Sequence, residues 1–170
     1  MTRPAERRTR AMSAQFSEVR TVAPDVIATA TLAVATDGVG FYEITREVAR
    51  FLEQIAAAEG VLFLYLRHTS ASLVIQENAD PDVAADLVTA LERLAPADAG
   101  WTHEVEGPDD MPAHVKTMLT GVSLHVPVVG GVPALGRWQG IFVAEHRAHA
   151  HQREVVLQFA GRRAHAAEST

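Results

Sequence analysis

Hydrophobic and polar positions alternate with two different periods along the chain, and the two periods divide it into strands and helices. Residues 15–35 read as extended, because Val26-Ile27-Ala28-Thr29-Ala30-Thr31-Leu32-Ala33-Val34 is rich in β-branched side chains with threonines at alternate positions. Asp37-Gly38-Val39-Gly40 predicts a turn. Ile44, Val48, Phe51, Leu52 and Ile55 then recur at steps of three and four, predicting a helix over 45–58 that Gly60 stops. The unbroken apolar run 61–66 predicts a central strand buried on both faces, and a second strand is expected over 72–76. Asp80-Pro81-Asp82 is a helix start: Asp80 caps free amides, Pro81 suits the first turn, and Asp82 complements the dipole. Val83, Leu87, Leu91 and Leu94 mark the side this helix should bury. Asp110-Met111-Pro112 opens a shorter helix ending near Gly121. The last third reads as strands at 123–128, 138–145 and 154–160, with a turn at Gly130-Gly131. Strands outnumber helices and few are separated by a crossover helix, so the pattern predicts an α+β fold. Its body is a single-domain, largely antiparallel, β-sandwich-like sheet with helices packed on it.

The length of 170 residues suits one domain. It is expected to occupy residues 15–162, between a disordered Arg-rich tail at 1–14 and a disordered tail at 163–170. An apolar fraction of 48% with 21% charged residues excludes a wholly disordered chain. There is no cysteine, which removes disulfides, thiolate metal cages and a Cys nucleophile, and fits a reducing cytoplasmic setting. No secretory signal opens the chain, and its longest apolar run is far below the ~20 residues of a membrane span. The net charge of −6 leaves an acidic body behind the basic start, a poor match for nucleic acid.

Polar clusters end the apolar segments. One strand runs into Arg67-His68-Thr69-Ser70 and the next into Gln76-Glu77-Asn78-Ala79-Asp80. Leu73, Ile75 and Glu77 share a strand face, so Glu77 either extends that face into a cleft or leaves it for solvent. The segment 103–114 holds His103, His114, four carboxylates and two loop breakers. Helical spacing places His114 beside Met111 and Met118 on an apolar side, and turns Lys116, the only lysine, toward water. An exposed lysine keeps its ordinary basicity, which argues against Schiff-base chemistry. Gln139, Ile141, Val143 and Glu145 share one face of their strand. His146, His149 and His151 follow, as metal ligands or as a solvated loop. The phosphate-loop, dinucleotide, HExxH and GxSxG motifs are all absent.

Five blocks in order carry a resemblance. They are His68-Thr69-Ser70-Ala71-Ser72-Leu73, Glu77-Asn78-Ala79-Asp80-Pro81, His103 through Glu106-Gly107-Pro108-Asp109-Asp110-Met111-Pro112-Ala113-His114-Val115-Lys116, Leu135-Gly136-Arg137-Trp138-Gln139-Gly140-Ile141, and Glu145-His146-Arg147. Together they resemble the YjbQ family over residues 26–161. The resemblance implies a compact α+β fold, a homotrimer, and a secondary thiamine-phosphate synthase activity. In that reaction a pyrimidine-methyl diphosphate is joined to a thiazole phosphate and pyrophosphate leaves. His68, Glu77, Asn78, His103, His114, Trp138, Gln139 and Glu145 match the shared polar set, and Arg153 matches a basic residue of the last strand. Arg137 stands where the family usually has threonine.

The expected chemistry follows from these residues. His68, His103 and His114 would hold a divalent metal, Mg²⁺ or Zn²⁺, or face phosphate as imidazolium. Glu77, Glu145 and His114 would act in catalysis, with Asn78, Arg137, Trp138, Gln139, Arg147 and Arg153 on the phosphorylated small molecule. No organic cofactor, nucleic acid or membrane is expected. A non-catalytic metal- or anion-binding trimer and a metal-dependent hydrolase are the alternatives.

Overall fold

The computed structural model describes residues 15, 16 and 18–164, so the expected tails fall largely outside the described residues. The elements are β1 (Val26–Thr36), β2 (Gly40–Glu43), α1 (Thr45–Gln54), β3 (Ala57–Leu66), β4 (Ala71–Glu77), α2 (Pro81–Leu94), α3 (Asp110–Thr120), β5 (Ser123–Val129), β6 (Val132–Pro133), β7 (Gln139–Glu145) and β8 (His151–Arg163). The strands form two sheets, ordered β1-β8-β3-β5-β6 and β2-β7-β4, and every pair is antiparallel. The fold is the expected α+β sandwich. Leu62, Leu64, Leu66, Val126, Leu157 and Phe159 of the larger sheet and Leu73, Ile141 and Val143 of the smaller one meet Val48 and Leu52 of α1 in one core. The helix α3 packs on β4, and α2 touches β2 and α3. This cover explains why β7 is buried on both faces from Gly140 to Glu145.

Several expectations need correction. The run 61–66 lies in a central strand, but only one face is buried: Leu62, Leu64 and Leu66 point inward, while Phe63 and Tyr65 are 38% and 53% exposed. Among the described residues no helix covers that outer face, so the unbroken apolar run overstated its burial. The first helix ends at Gln54 rather than near 58. Ala56 adopts φ +52°, and Ala57 already pairs with Arg163. Gly60 is therefore a mid-strand residue, not a helix stop; a Cβ there would lie 2.4 Å from the Ala160 carbonyl. The strands β2 and β6, four and two residues long, are too short to register as patterns. Leu94 is exposed, and no residue of α2 is fully buried.

The helix α3 buries a different side from the one predicted. Pro112, Ala113, Lys116 and Thr117 face inward, while Met118 is exposed. Small side chains let the helix approach β4 closely, and Thr117 Oγ1 donates to the Ala71 carbonyl at 3.3 Å. Lys116, placed outside by spacing, is only 6% exposed. Burial lowers its pKa, against the pull of Glu92 and Asp109.

Candidate functional site: a histidine–aspartate cluster at the start of α3

Asp110 and His114 stand one turn apart on α3, so their side chains are neighbours. Asp110 Oδ2 lies 3.3 Å from His114 Nε2. The loop between α2 and α3 returns His103, whose Nε2 is 2.9 Å from the same oxygen. Gly107, at φ +108°, supplies the left-handed step in that return. The ligand-type atoms of His103, Asp110 and His114 all lie within 4.8 Å of one another, the one group of three of this kind among the described residues.

Each partner is held from behind. His114 Nδ1 is 2.9 Å from the Thr69 carbonyl. A carbonyl only accepts, so Nδ1 carries a proton, and Nε2 is the ring nitrogen turned to Asp110. That nitrogen and the Asp110 oxygen face each other at a distance that a shared proton or a shared cation would bridge. Asp110 is 1% exposed, and its Oδ1 accepts from Arg147 Nη1. Arg147 also donates Nε to Asp109 Oδ2 at 3.1 Å and Nη2 to the Glu106 carbonyl at 2.6 Å. The Ala148 amide donates to Asp109 at 2.8 Å. Burial would raise the Asp109 pKa, but the Ala148 amide and the Arg147 guanidinium outweigh it and hold it low. Burial would likewise lower that of Arg147, and the hydrogen bond and charge of Asp109, with Asp110 and Glu106, hold it high.

The other expected site residues lie elsewhere or are already engaged. His68 is not a member of the three-residue group: its Nε2 accepts the Glu154 amide at 3.0 Å. Burial, with the charge of Arg153, lowers its pKa. Glu145 is buried and accepts from five donors. These are Thr36 Oγ1 at 2.7 Å, the His146 and Arg147 amides at 3.0 and 2.9 Å, Arg153 Nε at 2.6 Å and Arg153 Nη2 at 2.5 Å. Burial pushes its pKa up, but the Arg153, Arg147 and Thr36 hydrogen bonds together hold it below the usual range. Arg153 is itself buried and reaches the Ser70 carbonyl at 3.5 Å. Glu145, Arg147 and Arg153 thus form internal ion pairs rather than a free base and a phosphate fork.

Asn78, Glu77, Trp138 and Gln139 gather at the far end of the smaller sheet. Glu77 is exposed and pairs in register with Gln139. Asn78 Nδ2 donates to Glu43 at 3.1 Å, and its amide donates to the Trp138 carbonyl at 3.0 Å. Gln139 Oε1 accepts the Gly136 amide at 2.7 Å. Arg137 stacks over exposed Trp138, its guanidinium 4.9 Å from the ring centroid. His151 turns its Nδ1 to the His149 carbonyl, and buried His146 sets Nε2 2.7 Å from Ser72 Oγ. Sequence reasoning missed Asp110 as a member of this cluster, reading it as a helix start; the four-residue step from Asp110 to His114 was the available signal.

The sequence profile described as UPF0047 protein YjbQ-like matches residues 30–162. The chain belongs to this family. A UPF0047 protein of Synechocystis is 44% identical over 131 residues, 76% of this chain and 89% of the relative. The UPF0047 protein YjbQ of Salmonella typhimurium is 44% identical over 123 residues, covering 72% and 89%. An uncharacterized YjbQ/UPF0047 protein from Clostridium acetobutylicum, solved by crystallography, superposes with TM-score 0.71 at 30% identity, over 76% of this chain and 98% of that one. A hypothetical protein from Aeropyrum pernix gives TM-score 0.73 at 28% identity, over 79% and 99%. The YjbQ-like fold thus spans the described sandwich. Among the described residues no helix is long and apolar enough to cross a membrane.

Proposed function

We propose that this YjbQ-like chain is a metal-dependent enzyme acting on a phosphorylated small molecule, with His103, Asp110 and His114 as the ligands of a divalent ion. One observation carries the reading: a buried carboxylate oxygen meets two imidazole nitrogens, and one of those imidazoles has its proton committed to Thr69. A divalent cation would take the place of a proton between His114 Nε2 and Asp110 Oδ2 and draw in His103 as its third ligand. Two imidazoles and one carboxylate favour Zn²⁺ over Mg²⁺, which prefers oxygen ligands and keeps its waters. Bound there, such an ion supplies Lewis-acid neutralisation of charge on a phosphate oxygen.

The chain's own residues divide the remaining work. Arg147 fixes Asp110 so that one oxygen faces the histidines, and Thr69 fixes the tautomer of His114. Thiamine-phosphate synthase activity fits this arrangement. In that reaction a C–O bond to the diphosphate breaks, a bond from carbon to the thiazole nitrogen forms, and the pyrophosphate leaving group carries the new charge. Hydrolysis of a phosphate ester is the second reading, favoured by the two-histidine, one-carboxylate donor set. We further propose a cytoplasmic homotrimer as the working unit; exposed Ile27, Phe63 and Tyr65 on the uncovered sheet face support assembly.

Calorimetric zinc titration of the purified chain, followed by assay with the two thiamine precursors and with p-nitrophenyl phosphate, tests this. Asp110→Asn and His114→Ala should each weaken zinc binding more than ~100-fold, beyond the usual cost of losing an outer-shell partner, and abolish turnover. Zinc affinity unchanged in both variants would overturn the assignment.

A further inference from the structure

His103 faces two ways. Besides meeting Asp110, it lines a cavity of about 300 Å³ together with Ala97, Trp101, Glu104 and Pro108. That volume is at the small end of ligand sites and suits a single ring with its substituents. Trp101 is half-buried in the wall, and its Nε1–H donates to the Pro96 carbonyl at 2.9 Å. The bond uses the indole's only donor and pins the ring. What Trp101 offers the cavity is a fixed aromatic surface. Glu104, when ionised, offers acceptors alone. A ligand anion would meet Glu104, and a ligand cation would meet the ion proposed beside His103; an uncharged N–H donor meets neither penalty.

We propose that this cavity binds the ring of the substrate, a flat, uncharged aromatic or heteroaromatic group that stacks on Trp101 and donates an N–H to Glu104. The ring then lies against His103, with a phosphate on the same molecule reaching the cluster from the cavity side. The placement rests on the metal reading for the phosphate and for the absence of ring charge, but the stacking and the N–H do not depend on it.

The test is an NMR titration of the ¹⁵N-labelled full chain with benzamide and with acetophenone, which has the same shape but a methyl group in place of the amide nitrogen. Each titration is run with and without zinc. Benzamide should move the Trp101 indole signal and leave that of Trp138 in place, and acetophenone should bind at least about five-fold more weakly. Trp101→Leu should weaken benzamide binding about ten-fold, and Glu104→Ala should erase the preference for benzamide. Should Trp101→Leu fail to fold, the wild-type and Glu104→Ala titrations still decide. A still Trp101 signal, or equal affinity for the two probes, overturns the proposal. Zinc binding with a still Trp101 signal would sink the ring site alone. A Trp101 response without zinc binding would sink the metal reading alone.

Discussion

Acidification should weaken this fold through His146 in particular. Its imidazole is 3% exposed, set on Ser72 Oγ at 2.7 Å, and burial, aided by the charge of Lys116, pushes its pKa down to about 4 from 6.5. A depressed histidine pKa means that the unfolded chain takes up a proton below pH 6.5 while the folded chain does not. Stability from this site is therefore complete above about pH 7 and falls as the pH drops toward 4. One pKa unit is about 1.4 kcal/mol, so the loss is about 2 kcal/mol at pH 5 and about 3 kcal/mol once both states are protonated. Asp109 and Glu145, both held low, lose stability in the same direction, so a single pH series would mix the three. His146→Gln separates them, because glutamine can still bond Ser72 but does not titrate. Urea unfolding of both proteins at pH 8 and pH 5 should show the wild type losing about 2 kcal/mol more than the variant. Equal losses, or a ring titration of His146 near 6.5 by NMR, would refute the reasoning.

Glu145→Gln should cost about 3–5 kcal/mol in urea unfolding at pH 7, because it leaves the buried Arg153 charge without its counterion. A cost below 1 kcal/mol would mean the pair is not desolvated as described. Gly161→Ala should destabilise by about 1–3 kcal/mol, since its Cβ would lie 2.3 Å from the Glu59 carbonyl and the strands must part; an unchanged thermal midpoint would contradict that packing. Asp80→Ala should cost about 1 kcal/mol through loss of the cap on the Asp82 amide, found at 3.0 Å, read by the same denaturation.

Local chemistry was the most legible part of the sequence. The start of α2 at Asp80-Pro81, the start of α3 at Asp110 and the turn at Gly130-Gly131 depend on neighbours a few residues away, and the structure has them as read. The burial of a face was less legible, because it depends on what lies across from it. Phe63 and Tyr65 sit in an apolar run yet find no helix over them among the described residues, and Lys116 goes inside because Ala113 and Thr117 let α3 lie close to β4. The site divided along the same line. His103 and His114 could be picked from one polar segment, whereas the third member of their cluster, Asp110, was hidden behind its obvious role at a helix start. Arg147 and Arg153 had the right chemistry for phosphate, but Asp109, 38 residues from Arg147, and Glu145, itself read as a catalytic residue, had already engaged them.

The three side chains proposed as ligands fall within a dozen positions of the chain, so little loop entropy opposes their meeting. Their anchors are distant: Thr69 lies 45 residues from His114, and Arg147 lies 37 from Asp110. A nascent or partly folded chain would thus carry the right donors at the right spacing without the scaffold that aims them. If zinc binds there as proposed, its uptake should trail sheet closure, which would make ion occupancy a late marker of maturation and spare the growing polypeptide from trapping zinc too early.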